Sequence, residues 1–153
     1  MASLLSDVVA ASRRELSITE LHRLAAHPKA QIRIEIAMTV RRWPSPDLWR
    51  QDVDVINDLA LGDPDPRVRA AAMGHPEVGP AACWAALSDV PLVRSVRAVI
   101  TPDPHEIRLY AVDYYPAVRR AVLHNRRIDT ETVSRLLSDP DAAVRRAARR
   151  LGS

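Results

Sequence analysis

The sequence predicts an all-α protein, an α-solenoid of about five short helical repeats, and three observations carry that expectation. A frame recurs along the chain in which Asp, often followed by Pro, precedes a Val-Arg pair ending six residues later: Asp139 with Val144-Arg145, Asp63 with Val68-Arg69 and Asp113 with Val118-Arg119. His27 with Ile32-Arg33 keeps the spacing with His in the first place, and Asp89 with Val93-Arg94 is one residue short. The frames start at 27, 63, 89, 113 and 139, in steps of 36, 26, 24 and 26 residues, and spacing of that order marks units that bury their apolar faces against neighbours. Finally, the chain has twelve Pro, four Gly and no Phe, which suits many short, closely stacked helices punctuated by Pro.

The frame itself reads as a helix start. Asp at the N-cap accepts from backbone N–H groups that have no partner inside the helix, and Pro directly after it loses nothing by lacking an N–H. In the last copy, Ala143, Val144, Ala147, Ala148 and Leu151 share one face, with Arg145, Arg146, Arg149 and Arg150 on the other.

Taken in order, residues 1–26 are expected to form N-terminal capping helices and residues 27–153 the repeat array, within a single domain. Residues 3–15 read as a short amphipathic helix, and Ser17 with Glu20 is a capping-box pattern opening ITELHRLAAH. The first repeat continues through AQIRIEIAMTVRRW, with Ile32, Ile36, Ala37 and Val40 at helical spacing. An irregular segment follows, in which Ser45-Pro46-Asp47 signals the start of a longer helix. Trp43 and Trp49 lie there, read either as packing over the first repeat or as hydrophobic anchors for a partner. The second repeat starts a helix near Asp63 or Asp65, ends it at Gly74, and carries Ala82, Cys83, Ala86 and Leu87 on its second helix. The third restarts at Asp103-Pro104, the fourth uses Asp129 as an N-cap, and the fifth is half a repeat.

The pattern D-P-D-x-x-V-R-x-A resembles the leucine-rich repeat variant (LRV) family, a relative of HEAT-like helical repeats. DPDPRVRAAAMGHP from Asp63 and DPDAAVRRAARR from Asp139 carry the resemblance best, and YPAVRRAVLHN from Tyr115 is close. The resemblance implies a right-handed superhelix of paired helices, one of each pair short or 3₁₀, and implies no chemical activity. The cysteine cluster that some family members place ahead of the repeats cannot be carried over, because Cys83 is alone.

Charge is distributed unevenly. Basic residues number 22 against 19 acidic ones, and Lys29 is the only lysine, so the cations are arginines suited to bidentate pairing with carboxylate or phosphate. Such heavy use of Arg, Ala and Pro is also what a GC-rich genome produces. From Ala117 onward nine Arg face four acids, which makes the C-terminal third the basic end. Arg33, Arg69, Arg94, Arg119 and Arg145 are expected to pair with Asp63, Asp89, Asp113 and Asp139 of their own or the adjacent unit in a structural ladder. Arg120, Arg126, Arg127, Arg146, Arg149 and Arg150 are then left as the candidate binding surface.

No glycine-rich phosphate loop, nucleophile elbow, H-E-x-x-H or paired-cysteine motif occurs. The five histidines include His27, His75 and His124 at repeat junctions, but they occupy different ends of the frame and would not converge on a metal. The expectation is a non-enzymatic scaffold for protein–protein interaction, with no cofactor and no metal. Nucleic-acid binding through the C-terminal arginines is the alternative, and self-assembly through the fifth repeat a third reading. A single cysteine and the want of a signal-peptide pattern or a membrane-length apolar run lead to the expectation of a cytoplasmic protein that does not engage membranes.

Overall fold

A computed structural model describes residues 17–39 and 49–151. Every regular element among them is an α-helix: α1 Ile18–Ala25, α2 Ala30–Thr39, α3 Trp49–Gly62, α4 Pro66–Met73, α5 Pro80–Ala86, α6 Pro91–Ile100, α7 Pro104–Tyr110, α8 Pro116–Val122, α9 Thr130–Leu137 and α10 Ala142–Leu151. No helix among the described residues is long and apolar enough to cross a membrane. The expected helix over 3–15, the start signal at 45–47, Val40 and Trp43 lie outside the described residues, as does the side chain of Trp49.

Local chemistry sets where each helix begins. Ser17 accepts from the Glu20 N–H at 3.3 Å, Asp103 from the His105 N–H at 2.8 Å, and Asp129 from the Thr132 N–H at 2.7 Å. Pro66, Pro80, Pro91, Pro104 and Pro116 each occupy a first helical position, where a missing N–H costs nothing.

The structure corrects one part of the frame. Asp63, Asp113 and Asp139 stand ahead of the cap rather than at it: α4 is capped by Asp65, α8 by Tyr115, and α10 starts beyond Asp141, whose Oδ1 accepts from the N–H groups of Ala143 and Val144. The reason is that the frame aspartates face two ways. Each accepts the N–H two residues on, Asp65 at 2.9 Å, Tyr115 at 2.8 Å and Asp141 at 2.8 Å, closing a small turn that delivers the chain to the cap.

Two compact units result, one up to Ala85 and the other from Ala86. In the first, α2 packs on α4, while α1 and α3 pack on each other and on α2 and α4 respectively. Leu21, Leu24, Ile32, Ile36, Ala37, Val55, Ile56, Val68, Ala72 and Met73 are buried there. Gly79 approaches α3 so closely that its N–H reaches Asn57 Oδ1 at 2.7 Å, and a Cβ at that position would lie 3.1 Å from the same oxygen.

In the second unit α8 packs between α6 and α10, with α7 against α6 and α8, and α9 against α10. Its core gathers Ala98, Ile107, Tyr110, Val118, Val122, Leu136, Val144 and Ala148. Small alanines and β-branched valines fill most of these positions, and Tyr110 is the one aromatic side chain among them. The apolar face of α10 is narrower than the sequence suggests: Val144 and Ala148 are fully buried, Ala143 and Ala147 are half-buried, and Leu151 is 53% exposed.

Candidate functional site

The frame arginines share one geometry. Arg33 Nη1 donates to the carbonyl of His27 at 2.7 Å, Arg69 Nη1 to Asp63 at 2.7 Å, Arg119 Nη1 to Asp113 at 2.7 Å and Arg145 Nη1 to Asp139 at 2.6 Å. Arg94 Nη1 holds the Asp89 carbonyl in the same way, so the one-residue deletion in that frame leaves the bond in place. In each case the guanidinium folds back over the turn that precedes its own helix.

The other edge of the guanidinium reaches forward. Arg33 donates through Nε and Nη2 to the two carboxylate oxygens of Asp63 at 2.6 and 2.9 Å, Arg94 to Asp113 at 2.7 and 3.0 Å, and Arg119 to Asp139 at 2.7 and 2.8 Å. Two parallel N–H···O⁻ bonds fix both distance and orientation, and they join helices 19 to 30 residues apart in sequence. The guanidinium of Arg119 holds the Asp139 carboxyl below its usual range, against the opposing effect of burial and with help from the Asp141 N–H. Arg97 and Glu106 form a further bidentate pair at 2.8 and 3.1 Å, tying α6 to α7.

The arginines outside the frame are only partly brought together. Arg120 on α8 and Arg146 and Arg150 on α10 line one open groove of about 240 Å³, with Ala143 and Ala147 as its other lining residues. No acid lines it, and neither Arg120 nor Arg146 makes an ion pair with a described residue. Arg126 and Arg127 lie in the turn before α9, and Arg149, though exposed on α10, is not part of the groove lining. Of the six candidate arginines, three thus share a groove between neighbouring helices.

An exposed aromatic turn went unread in the sequence. Tyr114 is 87% exposed and meets Tyr115 edge to face at 5.2 Å between ring centroids. The Arg94 guanidinium sits 5.3 Å from the Tyr115 ring centroid, so the ion pair that orients Arg94 also supports the aromatic pair. Trp84, on α5, is likewise exposed. The signal in the sequence was the doubled Tyr between a frame Asp and a helix-starting Pro, where side chains stand on a turn rather than on a buried face.

The junction histidines do local work: His27 Nδ1 accepts from the Lys29 N–H and His75 Nδ1 from the Glu77 N–H, each at 3.1 Å. No cluster of His, Cys, Asp and Glu suited to a metal occurs among the described residues. Comparison with models of protein families, with curated proteins and with solved structures gave no match.

Proposed function

We propose that this chain is a right-handed α-solenoid of LRV/HEAT-like repeats that serves as a non-enzymatic protein-interaction module, receiving an acidic polypeptide in the arginine groove between α8 and α10. The observation that carries the reading is the groove itself, where Arg120, Arg146 and Arg150 stand around Ala143 and Ala147. A cationic rim over an alanine floor suits a segment that alternates carboxylates with small apolar side chains, because the floor offers nothing polar to a hydrated phosphodiester backbone. The helices on either side are locked by the Arg119–Asp139 pair, so little has to be ordered on binding. The repeat reading is supported by the common geometry of the frame arginines, whose Nη1 bond to the preceding turn is the same in every copy.

Fluorescence anisotropy with labelled poly-L-glutamate, and in parallel with duplex DNA and single-stranded RNA, tests this across a salt series. Poly-L-glutamate is expected to bind, and Arg120→Ala with Arg146→Ala to weaken it about tenfold or more, as loss of two charge-assisted contacts implies. Tighter binding of either nucleic acid, with a steep salt dependence lost in the same variant, would transfer the groove to phosphate recognition.

A further inference from the structure

Arg145 repeats one half of the frame geometry without the other. Its Nη1 holds the carbonyls of Asp139 at 2.6 Å and Pro140 at 2.8 Å, matching Arg119 Nη1 on Asp113 at 2.7 Å and Tyr114 at 3.1 Å. The guanidinium is therefore anchored on its own turn by the nitrogen that anchors the other frame arginines. In Arg33, Arg94 and Arg119 the remaining edge, Nε with Nη2, grips a carboxylate at 2.6 to 3.0 Å. In Arg145 that edge meets no carboxylate among the described residues, although Arg145 is only half-exposed and already oriented. The helix around it adds Arg146, Arg149 and Arg150 and carries no acid.

We propose that the Nε–Nη2 edge of Arg145 is an open rung: a docking point for a carboxylate on an acidic segment of a partner polypeptide, which takes there the place that Asp63, Asp113 and Asp139 take on Arg33, Arg94 and Arg119. The chain's own pairs define what the fork accepts. In all three the bound group is an Asp whose Oδ1 also receives the N–H two residues on, so the ligand of choice is an Asp that opens a tight turn, as Asp139 does toward Asp141. The first frame of a second copy has His27 in the Asp place, and an imidazole cannot offer this fork two parallel acceptor oxygens. The inference rests on the protein-interaction reading only in taking the partner to be a polypeptide; the residue and its contact differ from those of the groove.

The test uses the full chain, the Nε–Hε signals of its arginines in ¹⁵N-correlated NMR spectra, and a blocked tetrapeptide Ser-Asp-Pro-Asp copied from Ser138–Asp141. The Arg145 signal is expected to shift saturably, with an affinity in the millimolar range for so short a probe. The same tetrapeptide with Asn for its first Asp should bind about tenfold more weakly, since it lacks the bidentate carboxylate. Arg145→Lys keeps the charge and loses the fork, and should weaken binding to a similar degree, read on the Val144 methyl signals. The wild-type readout holds even if that variant folds poorly. An unmoved Arg145 signal while those of Arg120 and Arg146 shift would overturn the proposal and leave the groove standing. Equal responses to both tetrapeptides would overturn it too, as would a shift produced by duplex DNA but not by peptide. So would an Arg145 shift that depends on protein concentration alone, which would make a second copy the occupant.

Discussion

Arg119 and Asp139 meet across twenty residues of sequence through two parallel hydrogen bonds, with Nε at 2.7 Å from one carboxylate oxygen and Nη2 at 2.8 Å from the other. Both side chains are almost wholly buried, Arg119 to 10% and Asp139 to 4% exposure. Removing one partner leaves a desolvated charge, so Asp139→Ala is expected to cost about 3–5 kcal/mol and Arg119→Ala a similar amount. The double variant Arg119→Met, Asp139→Leu should recover much of that loss, since a buried ion pair is often no more stabilising than apolar groups of its size. Urea unfolding of the four proteins decides it. A double variant as unstable as the sum of the singles would mean that the pair also supplies a geometry that apolar side chains cannot.

Asp63 and Asp65 stand two residues apart and should behave very differently. Asp63 is buried and bound by Arg33, whereas Asp65 caps α4 through the Arg67 N–H at 2.8 Å and meets the exposed Arg67 side chain. Asp65→Ala is expected to cost no more than the ordinary loss of a solvent-facing cap, and Asp63→Ala about 3–5 kcal/mol. Equal costs would show that the division of labour between the two carboxylates is wrong.

That division marks where the sequence stopped being legible. The helices were readable because apolar residues recur at helical spacing and because Pro, Asp and Ser stand where backbone N–H groups need them: Ser17, Asp103 and Asp129 were placed as caps from the sequence and serve as caps. The repeated Asp was assigned to the cap as well, because a cap is the local role that Asp-Pro suggests. Its side chain pairs with an arginine 19 to 30 residues away; the repeat made an Asp–Arg ladder legible, but it left open whether each Arg takes the Asp of its own or of the adjacent unit, and the adjacent one is taken. The candidate surface was half legible for the same reason. Doubled arginines were visible, but which of them share a groove depends on how α8 lies along α10, and that placed Arg120 with Arg146 and Arg150 while leaving Arg126 and Arg127 on a turn. The Tyr114–Tyr115 pair gave no periodic signal, being on a turn.

Acid should loosen the second unit through Asp139. The guanidinium of Arg119 depresses its carboxyl in the folded state, so the charged form is favoured by folding. The associated stability is present above the unfolded carboxyl's value near about 4 and is lost as pH falls through the lower folded value. Asp129 acts in the same direction, depressed first by the Thr132 hydroxyl, then by the Thr132 N–H and more weakly by Arg108. Denaturant midpoints should therefore hold steady from pH 7 to about 5 and fall below about 4. Asp139→Asn, less stable at neutral pH, should lose less on acidification, so that its gap from the wild type narrows toward about pH 2. A gap that stays constant over that range would remove the Arg119–Asp139 pair from the acid response.

Asn125 joins α6 to the turn between α8 and α9, and its three hydrogen bonds can be taken apart one substitution at a time. Its Nδ2 donates to the carbonyls of Ala98 and Thr101, both at 2.9 Å, and its Oδ1 accepts from the Arg127 N–H at 2.8 Å. Asn125, Ala98 and Thr101 are all buried, so the two Nδ2 contacts lack water as a substitute. Asn125→Ala removes all three bonds and is expected to cost about 2–3 kcal/mol. Thr at this place should be milder, because Thr101 shows that a hydroxyl can close the same turn: its Oγ1 accepts from the Asp103 N–H at 3.2 Å. Asp should be the worst of the three, since it keeps the turn but sets a buried carboxylate against two carbonyl oxygens. Amide exchange separates the contributions. The Arg127 N–H should stay protected with Thr and exchange faster with Ala, at a global stability measured alongside by urea unfolding. If Asp proved as stable as Asn, the Nδ2 contacts to α6 would not be holding that helix, and the tie between it and α9 would have to come from apolar packing alone.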